Sequence, residues 1–131
     1  MLTNEQVIER DKIVFGEPFD WSQPTGGIAR FRDLTLDRLE QLIKAGFIDL
    51  DECQNDSPTT QEFLEFMQQY PKARAHGYVI SNEREDVGAV IEGLEVDRAD
   101  VTTELFRDFV RLCRYADEFD DCDAGLYSWW D

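Results

Sequence analysis

Apolar residues recur at helical spacing in three stretches of the chain. Leu36, Leu39, Leu42 and Ile43 form one stripe, with Thr35 placed to cap it and Gly46 where a left-handed stop belongs, so a helix is predicted over 36–45. Phe63, Phe66, Met67 and Tyr70 form a second stripe. It is entered through Ser57-Pro58 and the capping-box pattern Thr59-Thr60-Gln61-Glu62, and Pro71 ends it, giving a helix over 58–70. Leu105, Phe106, Phe109, Leu112, Cys113 and Ala116 make the longest inner face and predict a helix over 103–116. A shorter helix, capped by Thr3 or Asn4, is expected to run to about Lys12.

From Ala75 the pattern becomes extended. Tyr78, Val79 and Ile80 are a β-prone run, 82–86 is a polar turn, and Val87 to Val96 supplies a second run, which together predict an antiparallel hairpin over 77–96. Gly88 and Gly93 within it mark a bulge or a close backbone approach. Between Phe15 and Asp33, Gly16, Pro18, Pro24, Gly26 and Gly27 punctuate Phe19, Trp21, Ile28 and Phe31, the pattern of an irregular or extended segment that packs aromatics. Gly26-Gly27 lacks the Lys-Ser/Thr that a phosphate-cradling loop requires and reads as a turn.

At the C-terminal end, 117–125 reads as a turn-rich acidic loop and Leu126 to Trp130 as a strand. Alternation would put Leu126, Ser128 and Trp130 on one face, with Tyr127 and Trp129 on the other. The expected fold is a single α+β domain over 1–131, with about three to four helices packed on a small, mostly antiparallel sheet.

Charge narrows the choice of partner. Thirteen Lys and Arg against twenty-nine Asp and Glu leave a net charge of -16, a field that repels phosphate backbones and anionic lipid headgroups and attracts a basic protein. Direct nucleic-acid binding and a membrane surface are therefore not expected. The helices over 36–45 and 58–70 are no helix-turn-helix either, since a long acidic connector separates them and Glu62 and Glu65 sit among the amides of the second. Hydrophobic residues at 42% supply enough apolar material for a folded core. Cys53, Cys113 and Cys122 have neither disulfide-framework nor zinc-ribbon spacing and are expected to be reduced. The first ten residues carry acids and no long apolar run, so no signal peptide or transmembrane segment is expected and the cytoplasm is the default location.

Candidate chemistry is sparse. Asp117, Glu118, Asp120, Asp121 and Asp123 have oxygen ligands for a hard cation, but an EF-hand frame would put Cys122 and Ala124 at ligand positions, so a solvated loop is expected, with no metal and no cofactor. His76, the only histidine, stands just ahead of a predicted strand and reads as a surface or strand-edge residue. Cys113, on an apolar stripe, reads as a small buried hydrophobe. Arg107, Arg111 and Arg114 either pair along their helix with Glu104, Asp108 and Glu118 or clamp the acidic terminal loop. No residue is assigned a catalytic role.

In size and charge the chain resembles small acidic bacterial proteins that neutralise a toxin or bind another protein, a likeness of composition that no motif carries. The expected function is a non-catalytic protein-binding or inhibitory module that meets a basic partner through Asp120, Asp121, Asp123, Tyr127, Trp129 and Asp131. Its rival is a small hydrolase or ligand-binding domain with a carboxylate-lined pocket, with or without a divalent cation. A third reading is a structural domain with both Trp129 and Trp130 in the core.

Overall fold

A computed structural model describes residues 2–22, 26–53, 56–81 and 88–130. Its first helix, α1 (Asn4–Phe15), is held by a reciprocal capping box between Thr3 and Gln6 and ends at Gly16 in the left-handed region, φ 81°. Then follow β1 (Ile28–Leu34), α2 (Leu36–Lys44), α3 (Thr60–Gln69), β2 (Arg74–Ile80), β3 (Ala89–Asp97), α4 (Thr103–Leu112), β4 (Glu118–Cys122) and β5 (Gly125–Trp129). Thr35, Thr59 and Thr102 cap α2, α3 and α4, each accepting a bond from the backbone N–H three residues on. Among the described residues no helix is long and apolar enough to cross a membrane.

The five strands form one antiparallel sheet in the order β1-β2-β3-β5-β4. Alternation sends Ala29 and Phe31, Ala75 and Val79, Ile91 and Leu94, and Leu126 into one core with Leu39 and Leu42 of α2, Phe63 and Met67 of α3, and Leu105 and Phe109 of α4. Trp130 closes this core edge-on against Phe63, ring centroids 5.5 Å apart. The predicted α+β domain is thus the fold found, and the helices supply their apolar stripes to one face of the sheet.

Two segments differ from the sequence reading, and a third, read as irregular or extended, is extended at its end. The acidic stretch expected as a loop contains β4, an edge strand joined to β5 by a two-residue turn at Asp123 and Ala124, with Cys122 opposite Gly125. Asp and Glu are poor strand formers, and cross-strand pairing with β5 overrides that preference. The segment between Phe15 and Asp33 ends in β1, which pairs with β2. The last helix stops at Leu112, its cap at Cys113, short of the expected Ala116. The polar turn predicted at 82–86 lies outside the described residues.

Two irregularities position the site. The register of β2 on β3 shifts between His76 and Gly77: His76 faces Gly93 and Gly77 faces Ile91, which leaves Glu92 as the extra residue of a β-bulge. A methyl group on Gly93 would lie 1.9 Å from the Ser128 carbonyl oxygen and 2.6 Å from His76 Nε2, so the backbone approach here requires glycine. At the far end of the same strands the fully buried Arg10 pairs with Asp11 at 2.9 Å and donates to the carbonyls of Ile80 and Gly88. Trp21 Nε1 donates to the other Asp11 oxygen at 2.7 Å. This network ties α1 to the ends of β2 and β3, and its charges are compensated by those bonds.

Candidate binding groove

The face of the sheet opposite the helical core carries a groove of about 470 Å³ whose lining comes from all five strands. Arg30 and Arg32 come from β1, His76 from β2, Glu92 from the bulge in β3, Glu118 and Asp120 from β4, and Tyr127 and Trp129 from β5. Period-two alternation explains the grouping. Glu118 lies opposite Trp129, Asp120 opposite Tyr127, and Tyr127 opposite Glu95, so acids and aromatics of neighbouring strands share one side.

His76 sits in the groove floor, 6% exposed. Its Nε2 lies 2.8 Å from the Ser128 carbonyl oxygen, and because a carbonyl only accepts, Nε2 carries the proton and Nδ1 is the acceptor nitrogen of the neutral ring. Burial pushes its pKa below the ordinary histidine value, against the opposing pull of the Ser128 bond and the carboxylates of Glu95 and Glu92. The imidazole stacks parallel to Tyr127, ring centroids 4.9 Å apart and planes 4° from parallel. Burial first, and then Glu118 and Glu95, raises the Tyr127 phenol.

Glu92 is a buried carboxylate, 2% exposed, whose two oxygens have different partners. Arg30 Nη1 donates to Oε1 at 2.5 Å, and Trp129 Nε1 donates to Oε2 at 3.1 Å. The Arg30 guanidinium also lies 6.0 Å from the ring centre of Tyr78. Beside it, Arg32 makes a two-pronged pair with Glu95 at 3.0 and 2.8 Å, and Arg74 makes another with Asp97 at 3.0 Å for each bond. Among the described residues neither Glu118 nor Asp120 has an ion-pair partner.

Of the residues expected to meet a partner, Asp120, Tyr127 and Trp129 come together in this groove. Asp121 faces the other way, in register with Leu126, and is held by Arg98, which also donates to the Cys122 carbonyl. Asp123 is exposed in the turn before β5, and Asp131 lies outside the described residues. Trp130 is 1% exposed while Trp129 is half-buried, so the two adjacent indoles serve opposite faces.

Other expectations need correction. His76 is neither at the surface nor at a sheet edge, because β2 begins two residues before it and is flanked by β1 and β3. Of the two readings of the arginine row, pairing along the helix holds for Arg107 with Glu104 at 3.9 Å and for Arg111 with Asp108 at 4.0 Å, while Arg114 lies over the ring of Tyr115 in place of the expected pair with Glu118, and the row does not clamp the terminal segment. That clamp is Arg98. Of the five terminal acids, Glu118 and Asp120 face the groove, Asp121 faces the other side of β4, and Asp117 and Asp123 lie outside that strand; among the described residues no cluster of three or more His, Cys, Asp or Glu side chains is arranged to hold a metal ion. Arg30, Arg32, His76 and Glu92 were missed as site residues. Their signal was the Arg-x-Arg alternation in Ile28 to Leu34 and a lone Glu-Gly pair inside the apolar run of β3.

Compared with protein-family models, with curated proteins and with solved structures, the chain matches none.

Proposed function

We propose that this chain is a non-catalytic binding module that receives a basic segment of another protein on the groove face of its sheet. One observation carries the reading: two exposed carboxylates without ion-pair partners among the described residues, Glu118 and Asp120, stand beside the half-buried rings of Tyr127 and Trp129 on a chain of net charge -16. Half-exposed aromatics supply anchoring area, while unpaired acids steer and orient a cationic partner.

The rival hydrolase or ligand-binding reading is favoured by one fact, that His76 shares the groove with Glu92, Glu118 and Asp120. Nucleophilic chemistry has little support there. His76 has its N–H committed to Ser128 and its ring stacked on Tyr127, and Glu92 already accepts from Arg30 and Trp129. The Cys113 thiol is buried on the helical side, and burial pushes its pKa up to about 12. Ser128 faces the same core.

Titration calorimetry with a synthetic peptide carrying lysine or arginine at alternate positions tests the proposal. Wild-type protein is expected to bind it, the affinity falling as salt rises, and the variant E118Q/D120N is expected to bind about fivefold more weakly. D123N, outside the groove, should leave the affinity unchanged. Absence of binding, or binding indifferent to E118Q/D120N, would remove the proposal.

A further inference from the structure

We infer that the groove anchors its partner through an arginine, whose guanidinium takes the place of Arg30 at Glu92; Arg30 fills that place while no partner is bound. The inference rests on the basic-partner reading and names the side chain that anchors it. Glu92 is 2% exposed, yet the Arg30 side chain that neutralises it is 62% exposed. The guanidinium therefore reaches the carboxylate from the solvent side, out of the edge strand β1, and can withdraw without displacing a core side chain.

The carboxylate is built to survive that exchange. Trp129 Nε1 holds Oε2, so Glu92 keeps its orientation when Arg30 leaves, and Oε1 alone is vacated. Arg32 stays engaged with Glu95 and does not compete for the vacated oxygen. The surroundings suit a planar cation: Tyr127 and Trp129 offer ring surface, and Glu118 and Asp120 form an acidic rim. A guanidinium stacks on such rings and donates in a fork, whereas an ammonium is a compact, strongly hydrated point charge, so arginine is preferred to lysine. An internal occupant lowers the apparent affinity by the fraction of molecules in which the site is open, which makes Arg30 a gate on binding.

The test follows the indole N–H resonances by nitrogen-edited NMR as N-acetyl-arginine amide is added, with N-acetyl-lysine amide at equal ionic strength as the second arm. Trp129 donates to Glu92, while Trp21 donates to Asp11 and Trp130 is buried, so the last two report on the fold. Arginine amide is expected to shift the Trp129 signal saturably, and lysine amide to do so more weakly. R30A should tighten arginine binding about threefold to tenfold, and E92Q should weaken it about tenfold, with the Trp21 and Trp130 signals in place. If R30A is too unstable to measure, R30Q removes the charge and keeps most of the side chain.

No saturable shift in wild type and R30A, a shift that E92Q leaves as strong, or equal response to lysine would overturn the arginine anchor. If the basic peptide still binds in an E118Q/D120N-sensitive way, the anchor falls and the basic-partner reading stands. If the peptide fails as well, both fall.

Discussion

At the scale of single residues, His76 gives the molecule a pH response of known sign. Its folded-state pKa is lowered, burial being the largest cause, so below the ordinary value of about 6.5 the unfolded chain binds more protons than the folded one. The stability contributed by the neutral ring is complete above that value and is lost as pH falls through the folded-state pKa. Between about pH 7.5 and pH 5.5 the wild-type melting temperature should therefore drop relative to that of H76Q, whose amide can still donate to Ser128 but does not titrate. Glu52, raised mainly by desolvation, acts in the opposite sense in both proteins and cancels in the difference. A flat difference across that window would refute the buried, neutral imidazole. Much of this was hidden in the sequence, where His76 precedes the β-prone Tyr78-Val79-Ile80 run and the strand's true start consists of Arg74, Ala75 and His76. Gly93 was legible, because a glycine inside an apolar run signals a bulge or a close approach, and here it accompanies both.

At the scale of elements, β5 divides its side chains between two jobs, and adjacent tryptophans measure the division. Trp130 is 1% exposed against Phe63, so W130A should lower the unfolding free energy by about 3–5 kcal/mol, the cost of emptying a large aromatic site. W129F keeps a ring and loses one bond to Glu92, a change of about 1–2 kcal/mol. Urea unfolding of the two variants checks the contrast, and equal losses would show that both indoles belong to the core. Alternation made β5 readable because its apolar and polar positions have period two. Its neighbour β4 was unreadable for a physical reason: Asp and Glu disfavour strands locally, and only pairing with β5 makes Glu118 to Cys122 extended. The groove depends on that pairing, since it brings Glu118 and Asp120 beside Tyr127 and Trp129. Helical stripes located α2, α3 and α4, with threonine caps marking the starts of the first two, whereas the strand order that assembles the groove arises from pairings between segments far apart in the chain.

At the scale of the whole molecule, charge acts in opposite directions on folding and on binding. Thirteen cationic side chains cannot neutralise twenty-nine carboxylates, so at least sixteen acids repel one another whatever pairs form. Arg30, Arg32, Arg74, Arg98, Arg107 and Arg111 all have carboxylate partners, most of them at exposed positions where each pair contributes little. Screening should then relieve more repulsion than it removes attraction. Raising sodium chloride from about 0.05 to 0.3 M is expected to raise the melting temperature while it weakens the basic peptide, because salt screens the repulsion among exposed acids and their attraction for the peptide alike. E118Q/D120N should melt no lower than wild type, having lost only unpaired acids from the groove rim. Scanning calorimetry and peptide titration at matched salt read the two trends together. A melting temperature that falls with salt would show that the ion pairs outweigh the excess acid. Opposite trends would separate loss of binding from loss of fold, and place the acidic excess at the service of the partner rather than of stability.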